Sequence, residues 1–141
     1  MKEVKFVFEK WNNNPNYQEG KRYHYGDCVI RAICKTTGLG WYEVYDMLCA
    51  KGRECGDFGD RIEVYPQVLA ELGFQEFGCP RIKGKKAMNV QRFIEEHPQG
   101  TFILRLAHHA TAIVDGICYD MWYPQTESVY RYWQLIKETR L

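Results

Sequence analysis

Residues 101–122 read TFILRLAHHATAIVDGICYDMW, and this stretch decides the fold. Three runs rich in aliphatic and β-branched residues, Thr101–Leu106, His109–Val114 and Ile117–Trp122, are separated by short breaks, the pattern of consecutive strands. Asp115-Gly116 is the best short hairpin signal in the chain, since both residues tolerate the left-handed backbone that a two-residue turn requires. Such a turn sets the register: Val114 faces Ile117, Thr111 faces Asp120 and His109 faces Trp122. Side chains alternate across a sheet, so His109, Thr111, Asp120 and Trp122 share a face, with His109 and Asp120 diagonal neighbours roughly 7–8 Å apart at the backbone. His108 points to the opposite face with no carboxylate at the matching position, and only a one-residue slip would exchange the two histidines.

Upstream the signals are mostly helical. Asp27 as N-cap and Gly38 as stop bracket a helix over about 28–37. A second helix runs from about Trp41 to Gly52, with Trp41, Val44, Tyr45, Leu48 and Cys49 as its expected buried stripe. A third covers 64–72 with Pro66 in its first turn, and a fourth begins after Asn89 and ends before Pro98. Residues 3–9 alternate as a strand with Val4, Phe6 and Phe8 on one face, residues 11–26 form a long loop, and a last strand covers about Val129–Trp133. Helices first and an antiparallel meander afterwards make an α+β domain spanning residues 1–141.

Composition bounds the function. At 141 residues the chain can bury roughly 68% of its unfolded surface. Its 19 basic and 18 acidic residues give a net charge of +1, which leaves no global field to recruit nucleic acid or an anionic membrane. Lys83-Gly84-Lys85-Lys86 reads as a solvated loop, and Arg22-Tyr23-His24-Tyr25 as a Tyr- and His-rich loop rather than a base-stacking platform. No run approaches the ~20 apolar residues of a membrane span, and the charged start lacks a signal peptide's apolar stretch, so a cytoplasmic protein is expected. Six cysteines without a Cys-x-x-Cys pair are then expected to stay reduced.

Cys28 opens the first helix, where the positive end of the helix dipole favours a thiolate. Val29, Ile30 and Ile33 cluster on one face of that helix, and Cys28 falls nearly opposite, beside Arg31, Ala32 and Lys35. A thiol on a helix start, an imidazole and a carboxylate on paired strands are the parts of a nucleophilic cysteine site. Cys118 is a reserve nucleophile near the hairpin tip. Cys34, Cys55 and Cys79 read as structural or exposed thiols, and His97 as a helix-end residue.

Gly26-Asp27-Cys28-Val29-Ile30-Arg31-Ala32-Ile33, followed by the hairpin and by Tyr119-Asp120-Met121-Trp122, resembles the papain-like cysteine peptidase superfamily, and looks like its small uncharacterised bacterial and phage members. The anchors span residues 14–133. The resemblance implies a nucleophile on the central helix packed on a C-terminal sheet, a Cys28-His109-Asp120 triad, no cofactor, and a peptide, isopeptide or other amide as substrate. It also implies that the Trp122 indole shields the His–carboxylate hydrogen bond. Two positions depart from the pattern: Arg22 stands where the family usually has its oxyanion glutamine, leaving Gln18, Asn16 and Asn14 as substitutes, and Val29 replaces a frequent aromatic residue. Two rival expectations remain, a papain-fold binding or host-modulating module without turnover, and a zinc-type metal site on the same three residues.

Overall fold

The computed structural model describes residues 7–21, 26–79 and 81–136. The expectations placed on Val4, Phe6 and Arg22-Tyr23-His24-Tyr25 lie outside the described residues. Among those described, the elements in chain order are strand β1 (Val7–Lys10), helices α1 (Cys28–Thr37), α2 (Trp41–Cys55) and α3 (Tyr65–Glu71), strand β2 (Phe74–Gly78), helix α4 (Val90–Glu96), and strands β3 (Thr101–Leu106), β4 (His109–Val114), β5 (Ile117–Asp120) and β6 (Arg131–Leu135). The architecture is α+β, with one mixed six-stranded sheet in the order β1-β5-β4-β3-β6-β2. None of these helices is long and apolar enough to cross a membrane.

The β3–β4–β5 hairpins have the register that the Asp115-Gly116 turn dictates, with Val114 opposite Ile117 and Ala112 opposite Tyr119. Asp115 and Gly116 both take positive φ, 48° and 79°, as a tight hairpin of this hand demands. The simple meander does not continue past β5, however. The chain passes back over the sheet so that β6 pairs with β3, β2 adds antiparallel to β6, and β1 joins β5 in parallel. β5 also stops at Asp120 rather than at Trp122.

Helices cover both faces of this sheet, so its central strands are apolar on both sides. On one face Ile103, Ala110, Ala112 and Trp133 pack with α1, α2 and α3; on the other Phe102, Leu104, Leu106 and Ile113 pack with α4. Ala110 and Ala112 are the smallest residues able to fill the space beneath α1, and they let the helix lie close against β4.

No residue of α1 is fully exposed. Val29 and Ile33 are buried as expected, but Arg31, Ala32, Cys34 and Thr36 are buried too, because sheet and α2 enclose the helix. The side of the helix opposite the apolar cluster, where the sequence places Cys28 beside Arg31 and Ala32, is thus largely enclosed as well. The helix ends at Gly38, in the left-handed conformation (φ 80°), whose N–H donates to the Cys34 carbonyl at 2.8 Å. On α2 only Val44 and Leu48 of the expected stripe are fully buried. Trp41 is half-buried, Tyr45 and Cys49 are exposed, and Tyr45 instead stacks on Trp41 with ring centroids 5.3 Å apart. At α4 the Asn89 side chain caps the helix by accepting from the Arg92 N–H at 2.8 Å.

Candidate active site

Three chain segments converge at the start of α1. Cys28 is its first residue, His109 the first of β4 and Asp120 the last of β5. His109 follows directly on the Ala107-His108 turn, where His108 is exposed with φ 53°. His108 thus belongs to a turn, not to a strand face, and it is His109 that meets the carboxylate. The His109 Nε2 donates to Asp120 Oδ2 at 2.6 Å. With that nitrogen committed, Nδ1 is left for the Cys28 thiol, which hydrogen-bonds the ring.

Asp120 is 1% exposed, and its acceptor capacity is well used. Besides His109, Oδ1 accepts from the Met121 N–H at 2.7 Å and from Arg31 Nη1 at 3.4 Å, while its carbonyl accepts from the Trp11 N–H at 3.0 Å. A buried carboxylate held by this many donors is fixed in position and in ring-facing geometry. The Trp122 ring lies against His109, centroids 4.7 Å apart and tilted by 39°, although Trp122 itself is 44% exposed.

Asp27 occupies the N-cap position of α1, yet its side chain does not cap the helix. The carboxylate turns inward, accepting from Arg31 Nε at 2.9 Å, Asn14 Nδ2 at 3.0 Å and Trp41 Nε1 at 2.9 Å. The demand of a buried guanidinium outweighs the cap: an unpaired buried Arg31 would cost several kcal/mol, a cap about 1 kcal/mol. With Asp27 withdrawn, the first N–H groups of α1 point past Cys28 without a side-chain cap. Sequence reasoning placed Arg31 beside Cys28 but missed its bridge from Asp27 to Asp120. The four-residue spacing of Asp27 and Arg31 was the available signal.

Charge along this chain of contacts sets the protonation of the imidazole. Burial works against the charged ring, but hydrogen bonds to Asp120 and Cys28, reinforced by their charges, lift His109 to about 9. Arg31 is likewise opposed by burial, and the hydrogen bond and charge of Asp27 more than offset it. Burial pushes Cys118 up to about 12; its thiol contacts Thr111 Oγ1 at 3.5 Å and stays neutral. Burial also raises Cys34, which sits in the α1 core.

The three oxyanion substitutes fall elsewhere. Asn14 is buried, its Nδ2 donating to Asp27 and its Oδ1 accepting from the Asn16 N–H at 2.8 Å. Asn16 and Gln18 are exposed, and neither lines the cleft at Cys28. As for a metal, no group of three His, Cys, Asp or Glu side chains among the described residues is arranged to hold one. Here His109 lies between the other two side chains instead of converging with them on a common point.

Cys28 and His109 open onto a cleft of about 760 Å³, large enough for a peptide-sized ligand. Its lining includes the loop Asp60-Arg61-Ile62-Glu63 together with Arg105, His108 and Trp122. The loop is seated on α2 through two glycines, where a Cβ on Gly52 would meet the Asp57 carbonyl at 2.5 Å and one on Gly59 would collide with the Leu48 carbonyl. Compared with known proteins, the chain matches no family model, no curated relative and no solved structure.

Proposed function

We propose that the protein is a papain-like cysteine hydrolase that cleaves a peptide or other amide bond through an acyl-enzyme. The observation that carries this reading is the placement of His109 between the Cys28 thiol and a buried, fully hydrogen-bonded Asp120. Cys28, whose proton rests on His109 Nδ1, attacks the substrate carbonyl carbon as the thiolate. The C=O electron pair moves onto oxygen, which the uncapped N–H groups at the start of α1 stabilise. His109 then donates its proton to the leaving nitrogen as the C–N bond breaks, and a thioester remains on Cys28. Water, deprotonated by His109, attacks that thioester and releases the acid and the thiol. Asp120 holds the imidazolium and its ring orientation throughout, Arg31 holds Asp120, and Trp122 keeps bulk water from the bond between His109 and Asp120.

Site-mapped alkylation tests the reading. Iodoacetamide is expected to modify Cys28 faster than in the denatured chain, and His109→Ala to slow it by about tenfold or more. Equal rates in folded and denatured protein overturn the activated thiol. A second reading, a binding module of the same fold without turnover, is favoured by one observation: the Asn14 amide is committed to Asp27. Hydrolysis of any member of an acyl-amide library by the unmodified protein, and not by Cys28→Ala, decides for the enzyme.

A further inference from the structure

The cleft lining carries a positive charge at Arg105 that the chemistry above does not use. Arg105 lines both the main cleft and an adjoining hollow of about 420 Å³, which also takes in His108, Tyr130 and Arg131. Arg105 is half-buried, and among the described residues no carboxylate lies within 4 Å of it. The nearby arginines differ: Arg31 pairs with Asp27 and Asp120, and Arg131 reaches Glu76 at 3.6 Å. A half-desolvated guanidinium without a counter-charge is costly, and an anion entering the cleft relieves that cost.

The pairing of β3 with β6 adds a second, independent observation. Arg105 and Arg131 stand directly opposite one another across the two strands. Like charges at directly opposed positions destabilise a sheet, and Glu76 reaches Arg131 alone, so an anion meeting Arg105 relieves the pair. Tyr130 in the same hollow carries Arg81 over its ring at 5.3 Å, adding a further cation. Tyr65, whose ring and hydroxyl are buried, lines the same cleft as Cys28 and Arg105, and Arg131 stands opposite Arg105 on the next strand. Burial holds that hydroxyl protonated, leaving it a donor rather than a competing anion.

We propose that Arg105, Arg131 and His108 form a carboxylate-binding subsite beside Cys28, which selects ligands bearing an acidic group within about one residue of the bond presented to the thiol. That the ligand is a substrate rests on the hydrolase reading; that the subsite binds a carboxylate does not. Arginine suits the task because its planar fork takes both carboxylate oxygens, and a half-buried site strengthens the attraction.

The test uses two blocked amino acids that differ by one charge, acetyl-glutamate amide and acetyl-glutamine amide. Each is titrated into the full chain carrying Cys28→Ser, followed by NMR of the arginine Nε–H signals. Expected are saturable shifts at Arg105 and Arg131 with the acid, binding about tenfold or more tighter than the amide at low salt and weakening towards it near ~1 M sodium chloride. Arg105→Gln is expected to abolish the difference, and Arg105→Lys, which keeps the charge, to retain part of it. Equal binding of the two compounds, no shift at either arginine, or an unchanged preference in folded Arg105→Gln overturns the subsite. The variant lacks the Cys28 thiol, so this result stands whether or not Cys28 alkylation supports the hydrolase.

Discussion

At the scale of single residues, the site is a line of alternating charge. Asp27 meets Arg31, Arg31 meets Asp120, Asp120 meets His109, and His109 meets the Cys28 thiol. Asp27 stabilises the charged guanidinium of Arg31 and Asp120 the charged ring of His109, so the line predicts both stability and titration. His109 is lifted from 6.5 to about 9, and a raised histidine stabilises the fold in its protonated form. That contribution is complete below about 6.5, falls as pH rises, and is gone above about 9. An NMR titration of the His109 ring is expected to show a midpoint near 9, and Asp120→Asn to bring it down by about one unit or more through loss of the facing charge. Amide hydrolysis should decline over the same alkaline range as the ring loses the proton that the leaving nitrogen needs. Arg31→Met removes the bridge and leaves two buried carboxylates facing each other's field. It should cost about 3–5 kcal/mol in urea unfolding, against well under 1 kcal/mol for an exposed pair such as Arg92 with Glu96.

At the scale of elements, what was legible in the sequence depended on whether a local rule decided the outcome. Asp115-Gly116 forces a two-residue turn, and period-two alternation carries that register back to His109 and forward to Asp120, so their pairing could be read before any fold was known. Nothing local says which sides of α1 are covered. The amphipathic reading put Arg31 opposite the apolar cluster, whereas the sheet and α2 enclose it, and only its spacing from Asp27 hinted at a partner. β2 went unread because Phe74 and Phe77 fall three apart rather than two, and the pairing of β6 with β3 is a property of the chain's path, not of any segment. The contact of α1 with β4 is similarly a matter of size. Ala112 is fully buried beneath the helix, and Ala112→Leu should push α1 away at a cost of about 1–3 kcal/mol. Because Cys28 rides on α1 and His109 on β4, the same variant should lose the dependence of Cys28 alkylation on His109. A urea midpoint and an alkylation rate measured together check both effects.

At the scale of the whole molecule, the sheet joins two cores that share strands. Ile103 and Ala112 belong to the core under α1, Leu104 and Ile113 to the core under α4, and in each strand these are consecutive residues. Neither face of β3 or β4 can be uncovered without disturbing the other, which argues for one cooperative transition despite two separate clusters. The active site depends on this coupling, since Asp120 and Cys118 lie on the same strand while Arg31 and Cys34 lie on the helix across it. The two buried cysteines report the two cores independently: Cys34 is 2% exposed in one and Cys118 0% in the other. Pulse alkylation across a urea series is expected to expose both thiols at one midpoint. Phe93 on α4 is fully buried, and Phe93→Ala should cost about 3–5 kcal/mol and move the Cys34 midpoint as far as the Cys118 midpoint. A Cys118 transition that shifts alone would mean that α4 and its face unfold first, and that the site at the start of α1 survives without them.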